Sequence, residues 1–288
     1  METFTRASTL RDHLGKLKRQ GKRVALVPTM GNLHAGHLSL IDLARSKSDV
    51  VVATIFVNPL QFGPAEDLDS YPRTLDRDIE LLDSRRCDCV FTPSVAEIYG
   101  DTLDAQTIVK VPGISEGFCG SSRPGHFEGV ATVVTRLFNI AQPDLAVFGL
   151  KDYQQFLVIR KMVRDLLMPV EILGGEIVRE RNGLALSSRN GYLDSLQREQ
   201  AAAIYRSLQL VAAEQQEGNQ DNTALEAKGR EILEQAGLRP DYYAICNADT
   251  LEPAQAHDTN LVILVAAFLG TTRLIDNLRL RRGTHITA

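Results

Sequence analysis

Two histidines three residues apart, His34 and His37, lie in the run Pro28-Thr29-Met30-Gly31-Asn32-Leu33-His34-Ala35-Gly36-His37-Leu38. The apolar residues 24–27 before it read as a strand and residues 38–45 after it as a helix, so the run is a strand-turn-helix connection. At this spacing both imidazoles share one face of the helix start. Amides at a helix N-terminus can meet an anion, and Gly31 and Gly36 let the backbone come close to it. Imidazole N–H groups can donate to oxygens on which charge develops, which is the need of phosphate transfer. Two simpler readings stand beside this one: a helix cap, or a pair of metal ligands, which would require further ligands nearby.

Three more constellations sit at expected strand ends. In Phe56-Val57-Asn58-Pro59-Leu60-Gln61-Phe62-Gly63, the amides of Asn58 and Gln61 can bind a hydroxy acid, although an Asn-Pro pair by itself makes a turn. In Phe148-Gly149-Leu150-Lys151-Asp152-Tyr153-Gln154-Gln155, Lys151 is a mobile point charge suited to phosphate. Asp152 can accept from a ribose hydroxyl or cap a helix, and Gln155 can bind a carboxylate or hydroxyl. In Leu186-Ser187-Ser188-Arg189-Asn190, two hydroxyls and a guanidinium can follow phosphates as a loop closes. Asp76 and Asp78 are read either as carboxylates on the magnesium side or as first-turn acids that favour the helix dipole. Arg123-Pro124-Gly125-His126-Phe127 reads as a turn before a helix, and no catalytic duty falls to His126.

The elements that must hold these groups alternate along the first half: strands near 24–27, 50–57, 89–91, 145–148 and 170–173, with helices near 38–45, 74–85, 128–141 and 153–167. Such alternation predicts parallel βαβ units, hence an α/β fold with an open, doubly wound parallel sheet of the Rossmann-like kind. After Ser188 the pattern changes to helices over 197–237, broken at 215–222, and then strands near 242–246, 261–266 and 272–275. This predicts a second, smaller α+β C-terminal domain, with residues 1–180 and 181–288 as the two domains.

The chain has 288 residues, 44% hydrophobic and 24% charged, with a net charge of −4, which fits a folded protein and argues against general nucleic-acid binding. No apolar segment approaches the length of a membrane span, and no secretory leader is apparent, so a cytoplasmic location is expected. The four cysteines lack paired metal spacing and are expected to be reduced.

The His34-Ala35-Gly36-His37 element resembles the HxGH signature of the nucleotidyltransferase superfamily, and the longer Pro-Thr-Met-Gly-x-Leu-His form is similar to the pantothenate synthetase family. The resemblance implies ATP-dependent ligation of pantoate and β-alanine through a pantoyl adenylate, with Mg²⁺ as cofactor, AMP and pyrophosphate as products, a small lid domain and a homodimer. It implies that Met30, Gly31, His34 and His37 line the ATP site, with His37 the proton donor. Gly149, Leu150, Lys151, Asp152, Val178 and Leu186 join that site, Val178 through its backbone. Gln61 and Asn58 would contact pantoate, together with Gln155. Ser187, Ser188 and Arg189 resemble a KMSKS loop and, with Lys151, would be catalytic. Leu150 departs from the family pattern, in which a glutamate stands. The magnesium ligands are not implied. Thr272-Arg273-Leu274-Ile275-Asp276-Asn277 extends the likeness toward the C-terminus.

Overall fold

The computed structural model describes residues 1–64 and 66–282. Along the chain the elements are β1 (Glu2–Phe4), α1 (Ala7–Arg19), β2 (Val24–Thr29), α2 (Ala35–Arg45), β3 (Val50–Ile55), α3 (Leu75–Ser84), β4 (Cys89–Phe91), α4 (Val95–Tyr99), α5 (Cys119–Ser122), α6 (His126–Ala141), β5 (Leu145–Gly149), α7 (Tyr153–Asp165) and β6 (Glu171–Gly175). They are followed by α8 (Ser195–Ala201), α9 (Ala203–Gln216), α10 (Asn222–Gln235), β7 (Arg239–Asn247), β8 (Asn260–Leu269) and β9 (Thr272–Arg281). Two units result: Met1–Leu150 with Gln154–Glu176, and Lys151–Tyr153 with the chain from Ile177 on.

The first unit carries a six-stranded sheet in the order β1-β4-β3-β2-β5-β6, parallel throughout. The α/β expectation is met, and the alternation of side chains explains how both faces are covered. Ala25, Val27, Val51, Ala53, Val90, Leu145 and Val147 form one buried face with Leu40, Ile41 and Ala44 of α2 and Leu82 of α3. Residues one step out of phase point the other way, and Phe148 meets Phe138 of α6 with ring centroids 6.5 Å apart. Strand order reverses beside β2, between β3 and β5, and ligands of open α/β sheets bind outside the carboxyl ends at such a point. Strand β1 escaped the sequence pattern. It is three residues long and is recruited by backbone pairing of Glu2, Thr3 and Phe4 with Cys89, Val90 and Phe91.

The second unit has an antiparallel sheet in the order β7-β8-β9. Its core joins Ile204, Leu208 and Val211 of α9, Leu225 and Leu233 of α10, and Tyr243, Ile245, Ile263 and Val265 of the strands. Gly229 is required there, because a Cβ would stand 2.3 Å from the Tyr243 ring. The expected boundary at 180 is a single cut, whereas here Lys151–Tyr153 belong to the second unit. The Asn277 amide donates to the Lys151 carbonyl at 3.0 Å, and the Tyr153 hydroxyl donates to the Ala248 carbonyl at 2.8 Å. Among the described residues no helix is long and apolar enough to cross a membrane.

Candidate active site

The loop leaving β2 is built by its own backbone. Gly31 takes φ +83° and Asn32 φ +50°, a left-handed pair that turns successive N–H groups to one side. Those of Asn32 and Leu33 donate to the two carboxylate oxygens of Asp78, at 2.9 and 2.8 Å, and Gly31 N–H donates to Thr29 Oγ at 3.2 Å. His34 is the N-cap of α2: its Nδ1 accepts the Gly36 N–H at 3.1 Å, while His37 Nδ1 accepts the His34 N–H at 3.3 Å. The rings lie 4.1 Å apart.

This geometry fixes a tautomer. A ring nitrogen that accepts an amide N–H carries no proton, so each imidazole is neutral with its hydrogen on Nε2. Capping, which the sequence presents as a rival to phosphate donation, uses only the Nδ1 edge of each ring. The N–H groups of Gly31, Asn32, Leu33, His34 and Gly36, expected from the sequence to face a phosphate, are instead bonded within the protein.

The loop leaving β3 is held equally firmly. Asn58 is 1% exposed and donates from Nδ2 to Gln61 Oε1 and to the Gly129 carbonyl, both at 3.1 Å. Its Oδ1 accepts the Tyr99 hydroxyl at 2.6 Å and the Leu60 N–H at 3.3 Å. Burial pushes the Tyr99 phenol up to about 12, with the Arg136 guanidinium opposing, so the hydroxyl keeps its proton. Gln61 donates to Met30 Sδ at 3.1 Å, linking the two loops. Its carbonyl meets His126 Nδ1 at 2.9 Å and Arg123 at 3.3 Å, and Arg123 is in turn paired with Glu66. Sequence reasoning passed over Tyr99 and Glu66, and over the scaffold roles of Asp78 and His126. These side chains serve loops distant in the chain, and no local spacing marks them. Gln155 is half-buried on α7, beside Gln154, whose amide ties down Ile114, Gly117 and Cys119.

Leu150, at the end of β5, is 4% exposed and packs on Gly174, where a Cβ would come within 2.6 Å of it. Its side chain is part of the core, so only its backbone remains for a ligand.

Within the second unit, a small pocket is lined by Lys151, Ser187, Asn190, Tyr205 and Asp276. Lys151 Nζ lies 3.9 Å from Asp152. Residues 178–186 fold back on themselves through Leu186 N–H to Val178 O at 2.9 Å, turning at Gly183 with φ +95°. That return delivers Ser187, whose Oγ accepts the Arg189 N–H at 3.3 Å and starts the turn Ser188–Tyr192. Asp276 anchors the arrangement by accepting both arms of Arg179, at 2.5 and 2.9 Å, and Arg179 stacks on Tyr205 at 3.7 Å. Burial raises the Asp276 carboxyl while Arg179 opposes it.

The model of the Pantoate-beta-alanine ligase family matches residues 2–279. The chain belongs to the pantoate–β-alanine ligase family. Pantothenate synthetase of Azotobacter vinelandii is 58% identical over 96% of this chain and 98% of that protein, and the one from Pseudomonas aeruginosa 57% over the same shares. The crystal structure of pantothenate synthetase from Thermus thermophilus superposes with TM-score 0.91 at 45% identity, covering 96% of this chain and 99% of that one. A pantoate–β-alanine ligase from Francisella tularensis, complexed with β,γ-ATP and β-alanine, gives TM-score 0.81 at 34% identity over 96% and 97%.

Among the described residues no group of three or more His, Cys, Asp or Glu could hold a metal ion. Asp76 is exposed, and Asp78 spends its carboxylate on amides.

Proposed function

We propose that this ligase condenses pantoate with β-alanine in two steps, using His34, His37, Lys151, Ser187, Ser188 and Arg189 on the phosphates of ATP. A pantoate carboxylate oxygen attacks the α-phosphorus in line. The new O–P bond forms as the bond to the β-phosphate oxygen breaks, and pyrophosphate leaves with that electron pair. Charge grows on the phosphate oxygens during this step, and donors fixed beforehand stabilise it without reorganising. The observation that carries the reading is that His34 and His37 stand side by side at the start of α2, each accepting a backbone N–H on Nδ1 so that its ring proton is placed on Nε2.

The amine of β-alanine then attacks the carbonyl carbon of pantoyl adenylate. Its C–O bond breaks, AMP departs and the amine gives up a proton, leaving pantothenate. Gln61 and Gln155 bind the pantoate hydroxyls and carboxylate, and Asn58 acts by holding Gln61. Met30, Gly31, Gly149, Leu150, Asp152, Val178 and Leu186 surround the nucleotide, Leu150 and Val178 through backbone. Mg²⁺ enters as the counter-ion of ATP. The ligase works in the cytoplasm as a homodimer, for which light scattering should give a mass near twice 31.8 kDa.

The test is incubation with ATP, Mg²⁺ and pantoate, with and without β-alanine, following AMP, pyrophosphate and pantothenate. AMP and pantothenate should appear together only with β-alanine, and His37→Ala should abolish most of both. If pyrophosphate is never released, pantoate is not the substrate.

A further inference from the structure

Asp78 is the least expected part of the histidine loop. It lies on α3, more than forty residues beyond the loop, and is 1% exposed. Oδ1 accepts the Leu33 N–H at 2.8 Å. Oδ2 accepts the Asn32 N–H at 2.9 Å and the Thr74 hydroxyl at 3.2 Å. Thr74, the N-cap residue of α3, makes no cap hydrogen bond, because its hydroxyl is turned to this carboxylate. The carboxylate also defines what can stand opposite it: a Cβ on Gly31 would be 3.0 Å from Oδ2.

Successive backbone N–H groups turned to one side of a tight turn make a nest that binds anions. Here the anion is built in. The carboxylate fixes the peptides entering Asn32 and Leu33, one on each oxygen, and so sets the approach of the chain to His34 and the start of α2.

We propose that Asp78 is a positioning residue for adenylate formation: it locks the Gly31–Asn32–Leu33 backbone so that the Nε2–H groups of His34 and His37 meet the transferring phosphoryl group, and it is not a magnesium ligand. This rests on the adenylate-forming reading above. Asn at this position would keep one acceptor but set an NH₂ donor against an amide donor. The histidines would then shift, and a displacement near 1 Å in a positioning element costs about 100-fold in rate.

The experiment compares wild type, Asp78→Asn and Thr74→Val for pyrophosphate release from ATP and pantoate, for ATP affinity, for Mg²⁺ half-saturation, and for folding by thermal melts. Asp78→Asn should lose about 100-fold in kcat for this step, with ATP affinity and Mg²⁺ half-saturation little changed. Thr74→Val, losing one hydrogen bond to Oδ2, should lose about 3-fold to 10-fold in the same step. A normal rate in folded Asp78→Asn overturns the proposal, as does a loss that rising Mg²⁺ restores. If Asp78→Asn fails to fold, Thr74→Val decides alone, and an unchanged rate there overturns it. Failure of the wild type itself to release pyrophosphate would instead strike the reading on which the proposal rests.

Discussion

The Arg123 guanidinium stands 3.0 Å from His126 Nε2. A guanidinium can only donate, so Nε2 is the acceptor and the ring proton sits on Nδ1, where it is donated to the Gln61 carbonyl at 2.9 Å. His126 thus fixes the backbone of the residue assigned to pantoate. His126→Ala should raise the KM for pantoate by about 5-fold to 30-fold and change kcat less. Steady-state kinetics with varied pantoate reads this, and an unchanged KM counts against the link.

Cap and donor functions of His34 can be separated. Asparagine is a good N-cap and can present an oxygen where Nδ1 stands, but it has nothing in place of Nε2–H. His34→Asn should melt within a few degrees of wild type and lose about 100-fold in adenylation, on the scale of a removed oxyanion donor. His34→Ala should lose the same rate and, in addition, about 1 kcal/mol of stability. Melting curves with pyrophosphate-release kinetics distinguish the two.

Gly129 lets α6 touch the turn after Asn58. A Cβ there would fall 2.2 Å from the Leu60 carbonyl oxygen and 2.7 Å from the Gln61 nitrogen. Backbone on both sides leaves little room to yield, so Gly129→Ala should cost about 1–3 kcal/mol in urea denaturation. The pantoate KM should rise with it, because the helix pushes Gln61 directly.

In the second unit, removing Arg179 would leave the Asp276 carboxylate buried without its cation. Arg179→Ala should destabilise by about 3–5 kcal/mol. Adding Asp276→Asn to that variant should recover part of the loss, since the stranded charge is gone. A double variant no more stable than Arg179→Ala would argue that packing of Arg179 on Tyr205 carries the effect.

All four cysteines are buried free thiols. Burial lifts Cys87 from 9.0 to about 11, and Cys89 and Cys246 from 9.0 to about 12. Tyr243 is raised as well. In each case the folded state favours the protonated form. Below about pH 9 both states hold these protons and they add no pH dependence; above it the unfolded chain releases them first and stability falls with rising pH. Urea midpoints should be flat from about pH 7.5 to 8.5 and decline beyond about pH 9. A flat midpoint through pH 10.5 or so would contradict this.

The sequence by itself determined the α/β class, the parallel strands and the candidate histidines, because these depend on local quantities. Apolar periodicity marks β2, β3, β5 and α6, and Gly31, Gly36 and the two histidines share one short turn whose chemistry can be read in place. The resemblance named the ligase family from the same short runs. Tertiary structure alone decided which atoms do what. Asp78, read as a magnesium or helix-dipole carboxylate, is turned onto the histidine loop by the docking of α3 beside α2. Asn58 and His126 became scaffold because Tyr99, Gly129 and Arg123 arrive from elsewhere in the chain to complete their hydrogen bonds. Leu150 entered the core because Gly174 on the neighbouring strand leaves space for it. Hydrogen-bond partners and burial are set by residues far apart in sequence, and spacing along a chain carries no record of them.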